Sequence, residues 1–208
     1  MKTSCDFLVV GSGIAGLSFA IHASRFGSVI MITKKSDYDS NTNNAQGGIA
    51  CVLDPLDSFE SHVLDTLVAG AGLCDETAVR LMVEEGPKRI EELIAWGTRF
   101  SKSPRSRVPH HLDLGKEGGH SANRIVHARD LTGREVEESL LRQLKGMPNV
   151  TLYENHSTVE FITNHHLHNP PLENRCYGAY VLDTTERAIH TIRAKVTFCA
   201  TGGTGNVY

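Results

Sequence analysis

The segment "VVGSGIAG", residues 9–16, places three glycines between an apolar run and a stretch with helical spacing. Gly11 permits a tight turn, Gly13 lets the backbone approach a pyrophosphate, and Gly16 lets a helix pack closely on a strand. A helix that begins here presents unpaired N–H groups and a partial positive charge to phosphates. Because the required strand and helix both flank it, the segment predicts a cradle for a dinucleotide.

The residues on either side of this segment predict one βαβ unit. "CDFLVV" at residues 5–10 is typical of a buried parallel strand, and residues 13–27 have helical spacing with Gly27 as a stop signal. "SVIMIT" at residues 28–33 predicts the second strand. Lys34 stands where an acidic residue would bind the ribose of NAD, which argues against an ordinary NAD enzyme.

The remaining chain alternates helical segments with a group of strands. Residues 34–57 and 98–125 are polar and irregular, and Asp75 is an expected N-cap. The pattern predicts an α/β, Rossmann-like fold with a parallel sheet, flanking helices and an inserted β-hairpin or meander. The predicted helices span residues 58–72, 74–97 and 130–146, and the predicted strands span residues 150–154, 158–163, 176–184 and 188–201.

Composition and charge narrow the classes of function. The 208 residues are 40% hydrophobic, which is a globular composition, and the formal net charge of -3 offers no basic field for nucleic acid. No apolar segment is long enough to span a bilayer, so no membrane partner is expected. The five cysteines form no CxxC pair, which favours free thiols in a reducing cytoplasm.

The stretch "NTNNAQGGIACV", residues 41–52, is a second motif. The polar side chains of residues 41–44 can donate hydrogen bonds to phosphate or flavin oxygens. Gly47 and Gly48 would let the main chain pass close to a flat ring. The motif therefore indicates contact with a flavin.

Five sequence blocks occur in a characteristic order: "GSGIAG", "AQGGIA", "HVLDTL", "ARDLTGREVEESLL" and "CATGG". Together they resemble the flavoprotein family of succinate dehydrogenase, fumarate reductase and L-aspartate oxidase, over nearly the whole chain. The resemblance implies an FAD-binding fold in which Val159 offers backbone groups to adenine and the turn after the last strand returns to FAD. The cofactor-binding residues that it implies are Gly11, Ser12, Gly13, Ile14, Ala15, Gly16, Lys34, Asn41, Thr42, Asn43, Asn44, Ala45, Gln46, Gly47, Gly48, Val159, Ala200, Thr201 and Gly202.

Asn41 bears on how the flavin is held. In the succinate dehydrogenase and fumarate reductase branch, a histidine five residues before the Gln or Glu of the glycine-pair motif is bonded covalently to FAD. Here the Gln is Gln46, and the matching position is Asn41, whose amide cannot form that bond. The resemblance therefore implies non-covalent FAD, as in aspartate oxidases.

A third motif, "KEGGHS" at residues 116–121, contains Glu117. The matching residue is typically phenylalanine in the fumarate reductase branch. In aspartate oxidases it is a glutamate proposed to face the α-ammonium group of the substrate. A partly desolvated carboxylate favours that cation and would be left unpaired with succinate. Without the resemblance, Glu117 would be read as a solvated loop charge, and His120 and Ser121 have no assigned role.

The resemblance implies FAD-dependent oxidation of L-aspartate to iminoaspartate, in which a hydride passes from Cα to flavin N5 and oxygen or fumarate is the final acceptor. This would be the first step of de novo NAD biosynthesis via quinolinate, with quinolinate synthase as a pathway partner. Residues 1–208 are expected to form an incomplete FAD-binding domain. The family's capping domain, C-terminal helical domain and catalytic arginine are expected beyond residue 208, so we expect no catalytic residue in this chain and no turnover by it alone.

Two other functions stay open at this point. One is a succinate dehydrogenase or fumarate reductase flavoprotein subunit, against which Asn41 and Glu117 both argue. The other is an FAD-binding module without catalysis, which acts as a structural or regulatory subunit.

Clustered histidines are the remaining candidate functional residues, because neighbouring histidines can bind a metal ion. His110 with His111, and His165 and His166 with His168, suggest metal ligands by their proximity alone. A credible metal site needs a third or fourth ligand and supporting hydrogen bonds. We therefore expect these histidines to be solvated loop residues and expect no metal site.

Overall fold

The computed structural model describes residues 3–36, 40–167 and 173–203. Contacts within the chain divide it into two compact units. The first unit is Met1–Asn43 with Glu137–Tyr208, and the second unit is Asn44–Val136. Each unit has its own β-sheet and its own buried side chains.

The described residues form strands and helices with the following bounds. The strands are β1 (Ser4–Val10), β2 (Val29–Ile32), β3 (Ile49–Ala50), β4 (Leu114–Gly115), β5 (Ile125–Val126), β6 (Val150–Tyr153), β7 (His156–Thr163), β8 (Cys176–Asp183) and β9 (Ala188–Cys199). The α-helices are α1 (Ile14–Ala23), α2 (Asn41–Asn44), α3 (Phe59–Ala69), α4 (Glu76–Ala95) and α5 (Thr132–Lys145), and short 3-10 helices span Pro109–His111 and Asn164–His166.

A six-stranded sheet organises the first unit. Its strand order is β6-β2-β1-β9-β8-β7. The strands β6, β2, β1 and β9 pair in parallel, and β9, β8 and β7 form an antiparallel meander at one edge. The predicted α/β fold with a parallel sheet, flanking helices and an inserted meander is confirmed.

The central strands β1 and β2 are buried on both faces. Consecutive residues such as Leu8 and Val9 have essentially no exposed surface, which is typical of parallel strands covered on each side. Helix α1 contacts β1, β2 and β9, and Phe19 of α1 stacks on Phe198 of β9 with ring centroids 4.0 Å apart. The cluster on one face of the sheet consists of Leu8, Val10, Ile30, Ile32, Ala179, Val181 and Ile192.

The turn between β1 and α1 requires glycine for steric reasons. Gly11 has φ +109°, a conformation that L side chains rarely adopt, and a Cβ atom there would overlap the carbonyl oxygen of Ala200. A Cβ atom at Gly16 would overlap the carbonyl oxygen of Gly11. These two glycines therefore allow the backbone of the turn, the helix and the segment after β9 to approach one another.

The second unit combines two helices with a small antiparallel sheet of order β3-β5-β4. Helices α3 and α4 pack through Val63, Val79 and Val83. The side chain of Asp75 accepts a hydrogen bond from the N–H of Ala78 at 2.9 Å, so the predicted N-cap of α4 is confirmed. Ser58 caps α3 in the same way.

Helix α1 is shorter than predicted. It ends at Ala23, and residues 24–26 form a turn before Gly27. A Cβ atom at Gly27 would lie 2.6 Å from a carboxylate oxygen of Asp6, which accepts hydrogen bonds from the N–H and hydroxyl groups of Ser28. Gly27 therefore makes room for an interaction with β1 instead of ending the helix.

The stretch predicted to be irregular at residues 34–57 contains the one-turn helix α2 and the short strand β3. None of the described helices is long and apolar enough to cross a membrane.

We expect Gly16→Ala to lower the free energy of unfolding by about 1–3 kcal/mol, because the added methyl group would overlap a backbone carbonyl that cannot rotate away. Urea unfolding followed by circular dichroism measures this change. Gly118→Ala is the matched control, since a Cβ atom at Gly118 would have no neighbour within 4 Å. Equal stability of the two variants would contradict the packing argument.

Candidate functional site

The N-terminus of α1 in the first unit is the predicted phosphate cradle. Gly13 is the N-cap and contributes no side-chain hydrogen bond, and the first turn of α1 contains no acidic residue. The N–H of Ile14 donates to Oγ1 of Thr42 at 3.0 Å. A predicted cofactor residue of the second motif therefore lies against the predicted cradle.

The polar helix α2 is held in place by Ser40. The hydroxyl of Ser40 accepts from the N–H of Asn43 at 3.0 Å and donates to the carboxylate of the buried residue Glu137 at 2.6 Å. Asn41 is exposed, and its Nδ2 atom lies 4.0 Å from where a Cβ atom of Gly202 would stand. Three predicted segments, residues 11–16, 41–43 and 200–202, thus converge in the first unit.

The predicted cofactor residues beside the cradle differ in whether their side chains are available to contact a ligand. The hydroxyl of Ser12 is buried and donates to Oγ1 of Thr33 at 3.0 Å, so only the backbone of Ser12 can contact a ligand. Thr33 was not predicted, and it orients this turn from the end of β2. Lys34 follows it and is exposed.

Val159 occupies an irregular position in β7. The pairing of β7 with β8 shifts between Thr158 and Glu160, so Val159 has no partner in the register, and its side chain is 57% exposed. A bulge of this kind leaves backbone groups outside the ladder. The geometry is compatible with backbone contact to adenine, which stays a prediction.

The FAD that the resemblance implies fits the first unit. The glycine turn exposes the N-terminus of a ten-residue helix without a side-chain cap or a nearby carboxylate in its first turn. Such a helix end provides N–H donors and a partial positive charge for phosphate groups. Ile14 and Ala15 lie in this first turn and are exposed.

The glycine pair of the second motif lies in the second unit, where each glycine has a different role. A Cβ atom at Gly48 would overlap the side chain of Ile125 and approach the carbonyl oxygen of Val126. The close packing of β3 on β5 therefore explains Gly48 without a flat ring. The neighbouring residues Asn44 to Gly47 are exposed and remain available for contact.

The carboxylate of Glu117 lies beside Gly47. Its Oε1 atom is 3.2 Å from where a Cβ atom of Gly47 would stand. Glu117 is exposed in this chain, and within the described residues its carboxylate has no hydrogen-bond or ion-pair partner. The predicted substrate residue and the predicted flavin-contact motif are therefore neighbours in the second unit.

A buried charge network supports the loop that carries Glu117. Arg124 is fully buried, and its guanidinium donates two hydrogen bonds to the carboxylate of Asp57, at 2.9 and 2.8 Å. It also donates to Asp65 at 2.8 Å and to the hydroxyl of Ser61 at 3.1 Å. Bidentate pairing of this kind offsets the cost of removing the charges from water.

Ser121 connects this network to the "KEGGHS" loop. Its N–H and its hydroxyl both donate to Asp65, at 2.7 and 2.8 Å, and its carbonyl oxygen accepts from Lys116 at 3.0 Å. The hydrogen bond from the backbone of Ser121, with help from its hydroxyl and from Arg124, lowers the pKa of Asp65. Asp65 is therefore an anion that fixes the end of the loop.

Two histidines pack together beside this network. The rings of His62 and His120 have centroids 5.7 Å apart, and the Nδ1 atom of each is buried without a hydrogen-bond partner among the described residues. Burial, together with the positive charge of Arg124, lowers the pKa of His62. His62 is therefore neutral at physiological pH, and His120, which had no assigned role, packs against it.

The network was missed from the sequence, although a signal for it exists. Ser61 and Asp65 are four residues apart, which places them on one face of α3, and Asp57 directly precedes the N-cap of that helix. Polar residues at that spacing indicate a polar partner facing the helix. The spacing does not identify this polar partner, because Arg124 is far from the helix in the sequence.

Several of the histidines that were considered as metal ligands from the sequence have polar partners in the structure. His110 lies 2.8 Å from a carboxylate oxygen of Glu91, and His111 lies 3.4 Å from the carbonyl oxygen of Ser106. His166 contacts the backbone of Thr163. His168, the third histidine of that cluster, lies outside the described residues.

We expect Arg124→Met to lower the free energy of unfolding by about 3–5 kcal/mol, because it leaves the buried carboxylate of Asp57 without its cation. Chemical denaturation measures the change. Arg80→Met is the matched control, since Arg80 forms an exposed pair with Glu76, and its loss is expected to cost less than about 0.5 kcal/mol. Similar losses in both variants would contradict the role given to the buried network.

Comparisons with known proteins agree with this geometry. A family model described as FAD binding domain matches residues 6–208. A chloroplastic L-aspartate oxidase from Oryza sativa subsp. japonica is 48% identical over 204 residues, which cover 98% of this chain and 30% of that protein. An L-aspartate oxidase from Vibrio cholerae is 43% identical, with 98% and 38% covered. The chain therefore spans about a third of the length of these relatives.

Comparison of the fold with solved structures indicates the same family of flavoproteins. A quinol fumarate reductase FrdA from E. coli superposes with a TM-score of 0.88 at 29% identity, covering all of this chain and 34% of that one. The resemblance to L-aspartate oxidases and to succinate dehydrogenase and fumarate reductase flavoproteins is confirmed, and FAD is the cofactor of this fold. The chain belongs to the FAD-binding domain family of flavoproteins.

Proposed function

We propose that the complete protein to which this chain belongs is an FAD-dependent L-aspartate oxidase. It would convert L-aspartate to iminoaspartate and so begin NAD biosynthesis via quinolinate, with oxygen or fumarate as acceptor. The proposal is supported by relatives named L-aspartate oxidase at 43–48% identity. Quinolinate synthase as a pathway partner and a cytoplasmic location belong to the same proposal.

The observation that carries the proposal is the position of Glu117. Its carboxylate, which has no partner in the part of the chain that the structure describes, lies beside Gly47, in the motif to which flavin contact is assigned. L-Aspartate differs from succinate by one amino group, which is a cation at neutral pH. A carboxylate here would bind that cation through a charge-assisted hydrogen bond and would repel a ligand that carries only negative charges.

The surrounding residues would keep this carboxylate available. Ser121 ties the end of the loop to Asp65, and Arg124 pairs with Asp65 and Asp57 beneath it. The cation of the network is thus fully committed to two other carboxylates. Glu117 is left without a competing partner among the described residues, as a site for an ammonium group requires.

FAD would be held without a covalent link. The cradle at Gly11, Gly13 and Gly16 would bind its phosphates, and Asn41 cannot form the bond that a histidine forms in the succinate dehydrogenase branch. When bound, FAD supplies the two-electron acceptor for the substrate's hydride. The residues of this chain would orient FAD and substrate, and the catalytic arginine of the family is expected outside residues 1–208.

We expect Glu117→Gln to lower kcat/KM for L-aspartate about tenfold to a hundredfold in the complete protein with FAD, because hydrogen bonds between charged groups contribute about 1.5–3 kcal/mol. The inhibition constant of succinate should change much less. Glu60→Gln, on the exposed first turn of α3, is the control for loss of one carboxylate. Equal losses for L-aspartate and succinate would reject the ammonium-binding role.

We also expect all FAD to leave the polypeptide when the complete protein is denatured with acid. The measurement is the flavin absorbance of the supernatant and of the washed precipitate. Yellow colour retained on the precipitate would show a covalent flavin and would favour the succinate dehydrogenase or fumarate reductase alternative.

That alternative has structural support of its own. The TM-score of 0.88 with a quinol fumarate reductase shows that this fold also serves a dicarboxylate enzyme. Oxidation of succinate in preference to L-aspartate by the complete protein would decide in its favour. Absence of turnover with either substrate would favour the third function, a non-catalytic FAD-binding module.

A further inference from the structure

Four polar side chains lie close together at one end of the β7–β8–β9 meander in the first unit. In the sequence they are far from the glycine cradle. His156 begins β7, Asp183 ends β8, Glu186 lies in the turn that follows, and His190 lies on β9. His156 pairs directly with Asp183, and His190 pairs with Val181, two residues before Asp183. Because side chains alternate along a strand, His156, Asp183 and His190 project from the same face of the sheet.

The donor atoms of this cluster are close together. Nε2 of His156 is 3.4 Å from Oδ2 of Asp183, and Nε2 of His190 is 3.9 Å from Oε2 of Glu186. One donor atom from each of Asp183, Glu186 and His190 lies within 4.8 Å of the other two. Ligands around a tetrahedral Zn²⁺ with bonds of about 2.05 Å are separated by about 3.3 Å. Asp183, Glu186 and His190 therefore need only small side-chain movements to contact one ion, and His156 would join them through its position beside Asp183.

Hydrogen bonds behind the cluster orient two of its members. Oδ1 of Asp183 accepts from the N–H groups of Thr185 and Glu186, at 2.8 and 3.0 Å, so Oδ2 remains directed at His156. Nδ1 of His156 lies 2.6 Å from the carbonyl oxygen of Glu154. Because a carbonyl only accepts, Nδ1 carries a proton, so Nε2 is the ring nitrogen that can bind a metal ion.

The two histidine Nε2 atoms have no other hydrogen-bond partner. His156 is 7% exposed, and the Nε2 atoms of His156 and His190 are both buried without a hydrogen bond from any described residue. A buried nitrogen and a carboxylate oxygen that face each other need a proton or a metal cation between them. Outer hydrogen bonds that fix a histidine tautomer are typical of metal ligands.

We propose that His156, Asp183, Glu186 and His190 bind one divalent transition-metal ion of the Zn²⁺ class. Two imidazole nitrogens select such an ion over Mg²⁺ or Ca²⁺, which prefer oxygen ligands alone. The ion would join the start of β7 to the turn between β8 and β9. This site is distinct from the histidines at residues 110, 111, 165 and 166, for which no metal is expected.

The test is metal binding by the complete FAD-loaded protein after removal of metal with EDTA and dialysis. Titration with Co²⁺ should produce visible d–d absorption that saturates at one equivalent, and Zn²⁺ should abolish it. The affinity for Zn²⁺, measured by calorimetry, should fall at least about tenfold in His190→Ala. Zn²⁺ should also raise the Tm of the unaltered protein but not that of His190→Ala.

His165→Ala is the matched control, since His165 is an exposed histidine of the same unit outside the cluster. It should bind Zn²⁺ as the unaltered protein does. Asp183→Asn is a second variant, because the amide oxygen can keep the hydrogen bonds of the turn while the ligand charge is lost. Zn²⁺ binding that is equal in all of these proteins, or no saturable binding in any, would overturn the proposal and would leave protonated histidines paired with Asp183.

Discussion

The first unit depends on the close approach of three backbone segments at Gly11. The turn after β1 passes against the carbonyl of Ala200, and α1 begins so close to that turn that Gly16 contacts the carbonyl of Gly11. These carbonyls belong to residues that directly follow β1 and β9, and the N–H groups of Gly11 and Ala200 donate to Ile32 and Val10, so the close-packed backbone has little room to move aside. The absence of side chains at Gly11 and Gly16 therefore fixes where α1 starts, and with it the direction in which its N–H groups point.

A different kind of constraint holds the second unit. Arg124 is a fully buried cation whose hydrogen bonds are distributed between Asp57, Asp65 and Ser61. Burial of this many polar groups is tolerated only when each has a partner. The result is a rigid support beneath the loop of residues 116–121. The carboxylate of Glu117 stays outside the network, which separates the residue proposed to select the substrate from those that hold the loop.

Local patterns allowed much of the fold to be predicted. The glycine spacing at residues 9–16, the apolar strands on each side and the N-cap at Asp75 depend on neighbours in sequence, and each is confirmed. Contacts with residues that are distant in sequence were not predicted. Gly27 makes room for Asp6 instead of ending a helix, and Gly48 makes room for Ile125, so a glycine in a motif does not by itself identify a ligand.

By itself, the sequence determined the fold class, the family resemblance and the glycine turn between β1 and α1, because these follow from short-range spacing and residue type. The tertiary structure alone decided which distant side chains meet. It brought Arg124 to two aspartates of another segment, Glu117 to Gly47, and His156 to Asp183 and His190. Such contacts depend on strand register and helix packing, so the spacing of these residues along the chain does not identify their partners.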